Sequence, residues 1–229
     1  MVLGIDANNV KNVFNAMYEK RAFLARVFVT LFVQLCITYY VMNRKTNPDA
    51  NIIVIFIAII GIIFILAYVP LSEPAKLLLF TIFSYLFGLS FFKIKEYRDD
   101  DNNESINVAI MGAASVFLSM MVVGIALLAG GIRLGYKFGL LLFFSLIALI
   151  IARLVFYVTA GSGSRSKMSD VRKAFSAVGI VIFALYVLYT TNCILQKNYR
   201  DNYISAALSY YLDFINLFSN LISDSHNNF

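Results

Sequence analysis

The sequence predicts an all-α integral membrane protein, a bundle of seven transmembrane helices with the C-terminal helix at its centre. Three observations predict it. Of 229 residues, 60% are hydrophobic and only 14% charged, where soluble proteins carry about a quarter charged. The apolar residues gather into seven blocks, each near the roughly 20 residues that cross a hydrocarbon core about 30 Å thick. The last block, Tyr203–Ile222, also carries Ser205, Ser209, Asp213, Asn216 and Asn220 at steps of three and four, along one stripe of a helix. A carboxyl group inside a span costs roughly 2.5–3.5 kcal/mol on insertion scales. That stripe therefore turns to a protein interior or a water-filled cavity, and the other helices surround it.

The elements follow in order. Residues 1–20 form an amphipathic segment, with Val10, Val13, Phe14 and Met17 on one face and Asn8, Asn9, Lys11, Glu19 and Lys20 elsewhere, suited to lying at the membrane interface. Its opening residues lack a basic stretch leading into a short apolar core, so the first span is expected to direct insertion itself. Residues 21–222 form the seven-helix domain, with spans near Ala22–Met42, Ile52–Val69, Ala75–Phe92, Ile106–Ala129, Phe138–Val158, Ala174–Leu195 and Tyr203–Ile222. Between them lie Asn47-Pro48-Asp49, Pro70 to Pro74, the polar run Lys93–Ser105, Gly130-Gly131, the Gly/Ser stretch Gly161–Lys167, and Gln196–Asn202. Residues 223–229 are a polar tail. The second span has almost no small or polar surface and is expected to face lipid broadly. The fourth, with Gly112, Ala113, Ala114, Ser115, Ser119 and Gly124, is expected to pack in the bundle interior, because small residues let helices approach closely.

The net charge of +6 is scattered between apolar blocks rather than gathered into a stripe, which excludes nucleic acid as a partner and leaves the lipid bilayer. Lysines and arginines divide evenly between the two sides, so they fix no orientation. With no tryptophan in the chain, the interfacial belt rests on tyrosines such as Tyr39, Tyr40, Tyr68, Tyr97, Tyr136 and Tyr157. Cys36 and Cys193 fall inside apolar segments and read as small hydrophobes, not as a disulfide or metal framework.

Two ionisable groups lie well inside spans, Asp213 in the seventh and Arg153 in the fifth. Arg153 is the candidate ion-pair partner of Asp213, since a charge-assisted pair offsets the cost of keeping both in the membrane. The alternative is that Arg153 snorkels toward the Tyr157 interface while Asp213 is protonated or bonded to neighbouring helices. The acidic run Asp99–Glu104 lacks the glycine and distal glutamate of a calcium loop and reads as solvated. The Gly/Ser stretch follows a span rather than a strand and reads as a flexible connector whose Arg165, Lys167, Arg172 and Lys173 meet lipid headgroups. His226 has no partners in sequence. No nucleophile is paired with a base, so enzymatic activity, a cofactor and a metal are not expected.

The stretch Ala206-Ala207-Leu208-Ser209-Tyr210-Tyr211-Leu212-Asp213-Phe214-Ile215-Asn216-Leu217-Phe218 resembles the C-terminal signature of the Bax inhibitor (TMBIM-like) family. Residues Arg21 to Thr38, with Gln34, are similar to that family's first span, and Leu78-Leu79-Phe80-Thr81 to the start of its third. The resemblance implies a helical bundle with a pH-responsive cation leak, usually of calcium, and an association with suppression of cell death. It attributes the leak to an aspartate pair on the last two spans, engaged by a basic residue of the second. Asp213 matches one aspartate. Where the family has Tyr-Asp-Thr-Gln in the sixth span, this chain reads Tyr189-Thr190-Thr191-Asn192, and its second span carries no arginine. Two carboxylates sharing a site hold one proton between them and form a latch, and a single carboxylate beside threonine and asparagine does not.

Two readings follow. In the first the chain is a Bax-inhibitor-like cation leak, for calcium or protons, with altered or lost pH gating. Asp213 is then the cation-attracting or proton-sensing group, and Thr190, Asn192, Asn216 and Asn220 line its path. In the second the chain is a non-transporting accessory subunit of a larger membrane assembly, an organellar respiratory complex or a viral membrane, with other membrane subunits as partners. Either way the expected location is an intracellular membrane, that of the endoplasmic reticulum or the mitochondrial inner membrane.

Overall fold

The computed structural model describes residues 7–44, 51–97, 103–159, 165–196 and 202–225. All regular structure among them is helical: α1 (Ala7–Glu19), α2 (Arg21–Met42), α3 (Ile52–Tyr68), α4 (Glu73–Tyr97), α5 (Asn103–Ala129), α6 (Tyr136–Thr159), α7 (Arg165–Gln196) and α8 (Tyr203–Ser225). Five of these, α2, α4, α5, α6 and α7, are long and apolar enough to cross a membrane. The other two expected spans fall short for opposite reasons. Helix α3 is apolar throughout but has 17 residues, about 25 Å at about 1.5 Å per residue. Helix α8 has 23 residues, but the serines, asparagines and aspartate of its stripe dilute its apolar character.

The chain divides into two compact units. One comprises Met1–Arg21, Asn103–Asp201 and Leu212–Phe229, and the other Ala22–Asn102 and Asn202–Tyr211. In the first, α5 and α6 both pack on α7, and α1 packs on α5 and α7. Small residues set these distances. A Cβ added to Gly124 of α5 would sit 2.9 Å from the Leu188 carbonyl oxygen of α7, and one on Gly139 of α6 would sit 2.5 Å from the Tyr189 hydroxyl. The expectation for the fourth span is corrected here. Only 22% of the apolar window of α5 is buried, against 67% of that of α7. Gly112, Ala113 and Gly124 make a single packed stripe, while Met111, Leu118 and Val122 on the other side remain exposed.

Helix α5 ends at a turn whose bonds follow from its glycines. Gly131 takes a φ of 82°, which a residue without Cβ adopts freely. The Gly131 N–H donates to the Leu128 oxygen and the Ile132 N–H to the Leu127 oxygen, the pairing that closes a helix with a left-handed residue. Helix α1 is not merely interfacial. Val13 is buried in its packing on α5 and α7, while Phe14 and Tyr18, one turn apart, stay exposed.

In the second unit, α3 lies on α4. Its buried residues are Ile55, Ile59 and Ile62, a narrow seam, and Ile53, Phe56, Ile57, Ile60 and Phe64 are exposed, as expected for a lipid-facing span. Asn51 caps its start by accepting from the Ile53 N–H at 2.9 Å. Pro74 sits in the first turn of α4, where no intrahelical N–H is needed. Helices α2 and α4 cross at Gly88, where an added Cβ would sit 2.6 Å from Val41 Cβ and 2.8 Å from the Thr38 oxygen. Within this unit Tyr211 is fully buried, edge-on to Phe80 at 5.3 Å, with its hydroxyl 2.6 Å from Thr38 Oγ1. Gln34 donates to Thr81 at 3.2 Å.

Two connectors are partly helical. Helix α4 runs on to Tyr97 and α5 starts at Asn103, inside the expected polar loop, and α7 starts at Arg165, so Arg172 and Lys173 lie on a helix rather than in a flexible connector. Asn47–Asp49, Asp99–Asp101, Gly161–Ser164 and His226 fall outside the described residues.

Candidate functional site

Helix α8 presents no exposed residue from Asn202 to Ser223. Its polar stripe is nevertheless mostly satisfied by its own backbone. Ser209 donates to the Ser205 oxygen at 3.1 Å, Asn216 to the Leu212 oxygen at 2.8 Å, Asn220 to the Asn216 oxygen at 2.7 Å, and Ser223 to the Ser219 oxygen at 2.9 Å. Each is a bond to the carbonyl four residues back, a pattern short polar side chains adopt within a helix. In a bilayer it removes the cost of an unsatisfied donor without calling on a neighbour.

Two groups of the stripe reach other helices. Asp213, 6% exposed, accepts from the Thr190 hydroxyl of α7 at 2.9 Å. Thr190 is itself buried, and Phe117 of α5 meets Phe214 edge-on at 5.8 Å beside it. The carboxyl group is thus enclosed by protein. The second contact joins α6, α7 and α8. Arg153 Nη2 donates to Asn220 Oδ1 at 2.5 Å and to the Phe175 carbonyl oxygen of α7 at 2.8 Å. This meeting depends on Gly179, where an added Cβ would collide with the Asn220 amide and lie 3.0 Å from Arg153 Nη2.

The expected Arg153–Asp213 pair is therefore not formed. Arg153 meets α8 at Asn220, about two turns beyond Asp213. The reason is register: the bare backbone at Gly179 admits the guanidinium there, whereas Thr190 already occupies the approach to Asp213.

Asn192 also has a different place. It accepts from the Leu134 N–H at 2.9 Å and from Gln196, and donates to the Ile132 oxygen at 3.2 Å and the Gly124 oxygen at 3.4 Å. It clamps the α5–α6 turn by bonding Ile132 and Leu134, which lie between the two helices. Thr190 and Asp213 thus form one contact, Arg153 and Asn220 another, Asn216 among the described residues bonds only its own helix, and Asn192 serves a turn.

Lys20, on the polar face of the amphipathic segment, donates its ammonium to the Leu195 oxygen at 2.9 Å and the Ile194 oxygen at 3.3 Å. It caps the last turn of α7, where carbonyls lack partners and the helix dipole favours a cation. Burial holds its pKa below the ordinary lysine range, with the Glu19 charge opposing that shift. A lysine just before a span was the available signal. Gly179, a lone glycine in an apolar run, gave none.

The family described as inhibitor of apoptosis-promoting Bax1 matches residues 20–223. Bax inhibitor 1 of Schizosaccharomyces pombe is 26% identical over 223 residues, covering 89% of this chain and 75% of the relative. The Golgi anti-apoptotic protein of vaccinia virus strain Lister is 25% identical over 217 residues, covering 90% and 86%. Protein LIFEGUARD 1 of Arabidopsis thaliana is 32% identical over 110 residues, covering 48% and 46%. With a match that spans every membrane helix and the Asp213 signature, the chain belongs to the Bax inhibitor family.

Proposed function

We propose that this integral membrane protein suppresses cell death from an intracellular membrane, and that its last helix carries a closed cation path whose latch is the Thr190–Asp213 contact. In this reading α3 and α8 complete seven spans, with α8 central. The observation that supports it is the enclosed Asp213 carboxyl group, bonded to a threonine where the family resemblance implies a second acid. A single carboxyl group held by a hydroxyl lacks the shared proton of an acid pair, so the leak opens by separation of α7 from α8 rather than by titration of a dyad. The link to cell death rests on the family and on the names of its members in yeast and vaccinia virus.

Calcium and proton flux into liposomes tests the path. Thr190→Val frees the carboxyl group and is expected to raise flux above wild type, and Asp213→Asn is expected to abolish it. Flux at the level of empty liposomes for all three proteins would overturn the leak. That result would favour the second reading, a structural membrane subunit, which the use of Arg153, Asn192 and Asn220 in intramolecular clamps supports. Native-gel migration after gentle solubilisation then decides, since a band at monomer mass alone counts against a stable assembly.

A further inference from the structure

A groove of about 410 Å³ runs along the exposed side of α2, within the range of about 300–1,000 Å³ typical of small-molecule sites. Its wall is a regular stripe: Phe32, Cys36, Tyr40 and Arg44 recur every four residues, flanked by Val33 and Ile37. From Phe32 to Arg44 the stripe is about 18 Å long at about 1.5 Å per residue, close to one leaflet of a hydrocarbon core about 30 Å thick. The crossing of α2 and α4 at Gly88 brings Val41 down to form the floor. Arg44 lies two residues past the end of α2, at the level where a span meets water, and donates to the Tyr85 hydroxyl of α4 at 3.3 Å. Tyr85 is the only polar partner of that guanidinium among the described residues. Its other N–H donors meet no acceptor among the described residues and can face one from outside.

We propose that this groove binds one anionic phospholipid, its acyl chain along the Phe32–Tyr40 stripe and its phosphate on Arg44 and Tyr85. An apolar channel one leaflet deep that ends in a tethered guanidinium matches a lipid in length and in charge. Planar guanidinium groups pair with phosphate oxygens through two parallel hydrogen bonds, and basic residues beside spans attract anionic headgroups. The tyrosine hydroxyl orients the guanidinium and offers a further donor. The broad apolar face of α3 has no charged group on its described residues and takes lipid without choice of headgroup.

The chain contains no tryptophan, so one introduced indole reports from one place. The full-length protein carrying Ile37→Trp is reconstituted in phosphatidylcholine vesicles with increasing fractions of brominated phosphatidylserine or brominated phosphatidylcholine, and fluorescence quenching is followed. Half-quenching is expected at a roughly fivefold lower fraction of the serine lipid, with the preference lost in Arg44→Gln. Ile57→Trp, on the exposed face of α3, is expected to show no preference. Phe32→Trp, at an exposed site in the same groove, serves if Ile37→Trp does not fold. Equal quenching by both lipids in the groove, a preference that survives Arg44→Gln, or the same preference at Ile57→Trp would each overturn the site.

Discussion

Replacing Gly124 with alanine measures how tightly α5 and α7 are joined. The new Cβ would sit 2.9 Å from the Leu188 carbonyl oxygen and 3.1 and 3.3 Å from the Cβ and Cγ2 atoms of Thr191. A helical carbonyl and a β-branched Cβ cannot swing aside, so the helices must separate by a few tenths of an ångström. Overpacking of this kind costs about 1–3 kcal/mol. Alanine also gains about 1 kcal/mol over glycine in a helix, which masks part of the loss. Gly61→Ala on α3 isolates that gain, because nothing lies within 4 Å of its added Cβ. The propensity term is common to both variants, so their difference is packing alone. At about 2–4 °C per kcal/mol for a chain of this size, Gly124→Ala should melt roughly 2–12 °C below Gly61→Ala. The assay follows a thiol-reactive fluorogenic dye on heating in detergent. In a Cys36→Ser background the buried Cys193 is the remaining thiol and reports unfolding. Equal melting temperatures for the two alanine variants would refute the argument that Gly124 sets the α5–α7 distance.

The same melting assay separates two roles at Asp213. Thr190→Val leaves a buried carboxyl group without its donor and should cost about 1–3 kcal/mol, whereas Asp213→Asn keeps an acceptor for the threonine and should cost less than about 1 kcal/mol; the reverse order would argue against a hydrogen-bonded pair. Asn192→Ala strips partners from the Leu134 N–H and the Ile132 oxygen. Hydrogen exchange across Gly130–Gly135 should then accelerate at least tenfold, as loss of about 1.4 kcal/mol or more of local stability requires, and an unchanged rate would show that the clamp is dispensable.

Much of the architecture was legible because a bilayer demands long apolar helices, and blocks such as Ile106–Ala129 declare themselves by length. The amphipathic start was readable from periodicity, and the broad exposed apolar surface of α3 from its composition. What failed is instructive. Small residues in α5 signalled a close approach, but Gly112, Ala113 and Gly124 lie on one stripe, and a stripe specifies one contact rather than burial on all sides. The polar stripe of α8 was equally plain, yet periodicity reports only the face from which a side chain departs. Its bonding depends on rotamers that return Asn216 and Asn220 to their own carbonyls. The destination of Arg153 was hidden because it depends on empty space at Gly179, a property of two facing backbones that no single stretch encodes.

The backbone bonds within α8 also bear on what it would cost such a polar helix to leave water. Ser209, Asn216, Asn220 and Ser223 bring their own partners with them, so the peptide can leave water carrying less unmet polarity. Asp213 and Asn220 also take donors from outside α8, the Thr190 hydroxyl of α7 and the Arg153 guanidinium of α6. Helix α7 precedes α8 in the chain, so Thr190 is already synthesised when Asp213 emerges. The order of translation thereby has a donor for that carboxyl group in place before the last helix is complete.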